Sequence, residues 1–235
     1  MLGLVAGIGA LLGAGGVIAY DRSSASSLGT AETARVERVV RDYVLAHPEL
    51  IPEAMQRLQD RESAKAVATA GDLTKPFGSA WTGNPQGDVT LVEYYDYNCG
   101  YCRSSLPMLK QLVQRDRKLR IVFRELPILA ESSRAAARAS LLAASQGKFA
   151  VFHDALYAGG QVSNATIAAA AARARVDLRQ APAFTARADA EIARNLKAAG
   201  QLGLTGTPSW VVGGRVLAGA LPIEQLEAAI AAARK

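Results

Sequence analysis

Cysteine is nearly absent from this sequence: Cys99 and Cys102 are the only two among 235 residues. That excludes a scaffold of several disulfides and a zinc site of four cysteines. Histidine is as scarce, and neither His47 nor His153 stands at a recognised metal-ligand spacing. No run of basic residues interleaves with aromatics, although 27 Lys and Arg against 21 Asp and Glu give a net charge of +6. Nucleic acid is therefore not an expected partner. Half the residues are hydrophobic and a fifth are charged, which is enough apolar material for one globular domain with a small appendage.

Charge is missing altogether from Leu2 to Ala19. As a helix this stretch would extend about 27 Å, near the hydrocarbon thickness of a bilayer. Its many glycines weaken a helix in water but are tolerated in a membrane. Residues 1–20 are expected to be a signal peptide or a membrane anchor, followed by a flexible tether, DRSSASSLG. The first positive residues, Arg22, Arg35, Arg38 and Arg41, come after the apolar run. By the positive-inside rule they would place the bulk of the chain in the cytosol; because that opposes export, a basic segment is expected upstream of this start.

Within 21–70, Val36, Val39, Val40, Tyr43 and Val44 recur at the spacing of one helical face, after Thr30 as a candidate N-cap and before His47-Pro48 as a stop. A second helix is predicted from Pro52, with Ile51, Ala54, Met55 and Leu58 on one face. The stripe needs a cover, either the main domain or a second copy of the chain, so residues 31–65 are a candidate homo-oligomer surface. A turn-rich linker from Gly71 to Asp88 leads into the main domain, 71–235.

That domain opens on Val89–Tyr95, a β-branched and aromatic run that predicts a buried strand, then a helical pattern through Leu106, Leu109, Leu112 and Val113, then a second strand, Leu119–Arg124. Strand, helix and strand of these lengths predict a right-handed crossover with parallel strands. From about 130 to 200 the chain is alanine-rich and helical, with breaks at Gly159-Gly160 and around Pro182. Gly213-Gly214 then separates two short strands as a hairpin turn, and a last helix opens at Pro222.

The two cysteines fall where the first strand gives way to the helix. There the free amides of the first turn and the positive end of the helix dipole favour a thiolate at Cys99. A spacing of three puts Cys102 within disulfide reach, so the pair can open and close without moving the fold. A bridge kept only for stability gains little from so short a loop, about 2 kcal/mol. A soft-metal or copper-binding role suits thiolates, but no Met-rich or His-rich tract accompanies the pair.

With VEYYDYNCGYCRSSLP around the dithiol, a helical insertion and TGTPSW before the terminal hairpin, residues 88–235 resemble the thioredoxin-fold disulfide oxidoreductases of the DsbA type. Residues 32–59 are similar to the helical N-terminal segment of the ScsC-like branch, which is associated with suppression of copper sensitivity. The resemblance implies an α/β thioredoxin fold with a large inserted helical domain. It makes Cys99 the exposed nucleophile, Cys102 the buried resolving thiol, and Glu93 a buried acid that relays a proton for Cys102. It places Gly100, Tyr101, Thr207 and Pro208 against substrate, Pro208 with a cis bond before it. It implies no cofactor and no metal.

Its partners would be unfolded or misfolded exported proteins and a membrane redox protein of the DsbB or DsbD/ScsB type, in a periplasmic or equivalent compartment. The pure oxidases carry Pro-His between the cysteines and Val before the cis-proline. Gly-Tyr with Thr resembles the isomerase branch instead, and oxidase and isomerase both stay open.

Overall fold

In this computed structural model residues 29–235 are described. The candidate signal or anchor, and the tether before Gly29, lie outside them. Among the described residues no helix is long and apolar enough to cross a membrane. The chain divides into two compact units after Gln56.

The first unit holds helix α1 (Thr30–Ala46) and the start of α2 (Leu50–Thr69), and neither helix has a buried residue. Gly29, not Thr30, occupies the N-cap of α1, and it makes no side-chain cap bond. The helix stops as predicted, with His47 as C-cap before Pro48. The second helix starts at Leu50, so Pro52 falls inside its first turn, where a missing N–H costs nothing.

In the second unit a five-stranded sheet runs in the order β1 (Trp81–Gly83), β3 (Leu119–Glu125), β2 (Val89–Tyr95), β4 (Ser209–Val212), β5 (Arg215–Ala218). The crossover is as expected: β2 and β3 are parallel, in register from Val89 opposite Leu119 to Tyr95 opposite Glu125, and α3 (Gly100–Arg115) connects them. The hairpin of β4 and β5 turns at Gly213-Gly214, both at positive φ, a backbone that only glycine adopts without strain. β1 lies inside the stretch read as a linker and pairs antiparallel with β3. Three residues bounded by turn formers carry too little periodicity to be seen in sequence.

The alanine-rich insertion forms α4 (Glu131–Ser145), α5 (Phe149–Ala158), α6 (Asn164–Ala174) and α7 (Ala181–Gln201). One break follows Ala158 as expected. The break expected around Pro182 lies before it, at Arg175–Gln180, with Arg175 in the left-handed region and Pro182 in the first turn of α7. A further break at Gln146–Lys148 turns on Gly147, at positive φ. The chain ends in α8 (Ile223–Ala232), with Pro222 at the N-cap.

Strand alternation sorts β2 onto the two faces of the sheet. Leu91 and Tyr95 join the core that also contains Cys99, Cys102, Leu109, Leu112, Trp210 and α8's Leu226. Val92 and Tyr94 join a second core with Val122, Val211 and α7's Ala198. β2 is therefore covered on both sides, which is why six of its seven residues are buried.

Candidate functional site

Glu93 lies between Leu91 and Tyr95 on β2, so it faces the same side of the sheet as the dithiol. Glu93 is 1% exposed, and among the described residues its Oε2 has no hydrogen-bond partner. Burial, and next the charge that Cys99 carries once ionised, push its carboxyl well above the usual range.

After β2 the chain turns through Asp96–Asn98 into Cys99. Cys99 is the N-cap of α3, and its Sγ accepts the Cys102 amide at 3.2 Å. A helix N-terminus leaves such amides without intrahelical partners, so the sulfur takes the place of a capping oxygen. The Cys99 thiol also donates to the Thr207 carbonyl at 3.2 Å. Thr207 precedes Pro208 across a cis peptide bond, the conformation expected from the resemblance. The loop before β4 thus brings together two segments 108 positions apart in the chain.

Cys99 is not an exposed thiol: it is 4% exposed, against 1% for Cys102. The Thr207–Pro208 loop across its sulfur and the aromatic core beneath it account for that burial. Burial, the neighbouring Glu93 and the bond to Cys99 all push the Cys102 thiol up, so it keeps its proton until a base takes it. Gly100 opens α3, and a Cβ there would meet nothing within 4 Å. Tyr101, the other residue between the cysteines, is 69% exposed. The structure therefore brings Cys99, Cys102, Gly100, Tyr101, Thr207 and Pro208 to one place, with Glu93 below them in the same core.

Sequence reasoning missed Asp96. Its carboxylate is buried and fully partnered. Oδ1 accepts from the Asn98 amide at 2.8 Å and the Ser133 hydroxyl at 2.7 Å, and Oδ2 accepts from the Ile128 and Leu129 amides at 2.9 Å each. Its carbonyl accepts from Cys99 N–H and from the Tyr157 hydroxyl, at 3.0 Å each. One residue thus ties the turn before Cys99 to the start of α4, the loop ahead of it, and α5. The only sequence signal was an Asp-x-Asn turn pattern straight after a strand.

Also missed was a buried polar cluster in the same core. The Tyr95 hydroxyl donates to Glu125, and the Tyr97 hydroxyl donates to Ser140 at 2.9 Å and lies 3.0 Å from His153 Nδ1. Burial raises Glu125 to about 8 and lowers His153 to about 3. His47 belongs to the first unit, where it lies 3.2 Å from Glu49. Among the described residues no group of three or more His, Cys, Asp or Glu side chains could hold a metal ion.

The Thioredoxin family model matches residues 75–232, and the model for the Copper resistance protein ScsC N-terminal domain matches residues 32–65. A thioredoxin-like oxidoreductase from Silicibacter pomeroyi DSS-3 is 38% identical, with a TM-score of 0.64 over 69% of this chain and 95% of that one. A linker-deletion mutant of Proteus mirabilis ScsC is 27% identical, with a TM-score of 0.67 over 88% of this chain and 97% of that one. A curated protein from Salinispora arenicola, Na(+)/H(+) antiporter NhaA 1, is 33% identical over 156 residues, 64% of this chain. The match spans only about a quarter of the length of that antiporter, 24%.

Proposed function

The chain belongs to the thioredoxin family, and we propose that within it this protein is a thiol:disulfide oxidoreductase that makes or rearranges disulfides in exported polypeptides. The observation that carries the reading is the placement of Cys99, with its sulfur on the Cys102 amide at the start of α3 and against the Thr207 carbonyl of the cis-proline loop.

In the exchange the Cys99 thiolate attacks one sulfur of a substrate disulfide. A new S–S bond forms, the substrate bond breaks, and the departing substrate thiolate takes a proton from solvent. Formation of the mixed disulfide removes the negative charge at Cys99, the second cause of Glu93's high proton affinity. With that cause gone Glu93 can pass its own proton to solvent, and its carboxylate, still kept basic by burial, takes the proton that Cys102 must lose. The Cys102 thiolate then attacks Cys99 Sγ, closes the Cys99–Cys102 bridge and releases the second substrate thiol. In oxidation the same steps run backwards; in rearrangement the substrate's own thiol resolves the mixed disulfide and the enzyme ends reduced.

Tyr101, exposed between the cysteines, and the Thr207–Pro208 backbone are the surfaces an extended polypeptide would meet. The compartment is periplasmic or equivalent, with a membrane redox partner of the DsbB or DsbD/ScsB type to reset the pair. The exposed stripe Val36, Val39, Val40 and Tyr43 on α1 supports self-association of this segment. Several dithiols facing one misfolded client would raise the local thiol concentration and favour rearrangement.

Insulin reduction and scrambled-ribonuclease reactivation test the reading. Cys99→Ser is expected to abolish both, whereas Cys102→Ser accumulates mixed disulfides visible on non-reducing gels. Retained turnover in Cys99→Ser would overturn it. Glu93→Gln is expected to slow resolution more than initial attack in stopped-flow traces, and equal slowing of both steps removes Glu93 from the proton path. For self-association, Val39→Glu with Val40→Glu is expected to lower the mass measured by light scattering and to reduce reactivation more than insulin reduction.

A further inference from the structure

A cavity of about 730 Å³ lies between the loop that follows α2 and one side of α7, and no residue of the dithiol site lines it. Its charge is lopsided, with Lys75, Arg124, Arg187, Arg194 and Lys197 set against Asp72 and Glu191. The two acids are already engaged. Asp72 Oδ1 accepts from the Thr74 amide and hydroxyl and from the Lys75 amide. Glu191 pairs with Arg124 and Arg194.

Arg124 is a building element of this cavity. Its guanidinium donates to the carbonyls of Asp72, Leu73 and Lys75, and to Glu191 and Asn195. That clamp fixes the loop which forms one wall, so the cavity exists before any ligand arrives. Lys75, Arg187 and Lys197 are left, and among the described residues none of their side chains has an ion pair or a hydrogen bond. The Arg187 guanidinium lies over Phe77 and Phe184, 5.0 and 5.6 Å from the ring centroids. Stacking orients its plane and leaves its N–H edges free to donate.

Three unneutralised cations held around one preformed cavity repel one another. An anion with several charged oxygens would relieve that repulsion and fill donors that have no acceptor. We propose that this cavity is a binding site for clustered phosphoryl oxyanions, reached independently of the redox pair. Two sources carry that chemistry, a free oligophosphate and the headgroup of an anionic phospholipid.

The test uses the full chain, tripolyphosphate by calorimetry and thermal shift, and vesicles of phosphatidylglycerol against phosphatidylcholine. Tripolyphosphate is expected to bind saturably and to raise the unfolding temperature. The variant Lys75→Gln/Arg187→Gln/Lys197→Gln should bind at least about tenfold more weakly. A control with the same loss of charge elsewhere, Arg117→Gln/Lys118→Gln/Lys235→Gln, should bind like the parent. If the triple variant folds poorly, Lys75→Gln/Lys197→Gln keeps the Arg187 stack and is expected to show the same direction. Vesicle binding with this variant pattern, in place of tripolyphosphate binding, assigns the headgroup as the source. No saturable binding to either probe, or equal weakening by the cavity and control variants, overturns the proposal.

Discussion

Helix α1 and strand β2 both carry more than one valine and at least one tyrosine, yet α1 has no buried residue and β2 has six of seven buried. The difference is in what covers them. β2 sits in the middle of a sheet with a core on each face, so its side chains lose water whichever way they point. α1 offers one apolar stripe, and Val39 on it stays 61% exposed. Burial is thus a property of neighbours more than of residue type. The same covering lets the second unit hold ionisable groups in its interior, Glu93, Glu125 and His153 among them.

The sharpest way to break this contrast is to truncate one apolar side chain in each region. Leu91→Ala removes a fully buried side chain from β2 and is expected to cost about 2–5 kcal/mol in urea denaturation. Val39→Ala should change the unfolding of the monomer by under about 0.5 kcal/mol. If Val39→Ala costs as much as Leu91→Ala at a dilution where the chain is monomeric, the stripe is covered within the chain and the contrast fails.

A second effect separates buried from solvated ionisable groups through pH. Glu125, raised by burial to about 8 from an ordinary 4.5, keeps its proton where the unfolded chain would release it. Its contribution is full below about 4.5 and is lost as pH rises toward 8. His153, lowered by burial to about 3 from 6.5, stays neutral where the unfolded chain takes up a proton. Its contribution is full above about 6.5 and is lost as pH falls toward 3. Between 4.5 and 6.5 the two slopes oppose each other, so the pair is expected to give a plateau there, with stability falling on both sides. Each limb has a slope of at most about 1.4 kcal/mol per pH unit for one proton. Glu125→Gln, which keeps an acceptor for Tyr95, should flatten the alkaline limb; Glu93, also raised by burial, leaves a residual slope. Urea midpoints at about pH 3.5, 5.5 and 7.5 measure it, and an unchanged alkaline limb in Glu125→Gln would remove that residue as its cause.

A small effect on stability is expected at the site itself. Thr207 Oγ1 is buried and among the described residues has no hydrogen-bond partner, so Thr207→Val removes a polar atom that gains nothing from its surroundings. Stability should rise or stay within about 1 kcal/mol of the parent, while the measured reduction potential reports whether the hydroxyl influences Cys99. A loss of several kcal/mol would mean that the hydroxyl has a partner in solution.

The dithiol was legible because its signal is local: a β-branched strand, two cysteines at a spacing of three, and a helical pattern, in that order. The hairpin at Gly213-Gly214 was legible for the same reason. β1 was not, because three residues among turn formers become a strand only when β3 pairs with them. Asp96 was not, because its four carboxylate donors come from Asn98, Ile128, Leu129 and Ser133, and three of the four lie more than thirty positions along the chain.

The sequence by itself determined where the thiols lie, which strands and helix flank them, and that a face of α1 is apolar, since each depends on residues within one or two turns of one another. Only the tertiary structure decided that Cys99 is buried, that its thiol meets the carbonyl of Thr207, and that Glu93, beneath the pair, has no hydrogen-bond partner for Oε2 among the described residues. Those properties belong to contacts between segments far apart in the chain. Solvent exclusion, and with it the proton affinity of a buried acid, is set by everything packed around a group, which no local pattern encodes.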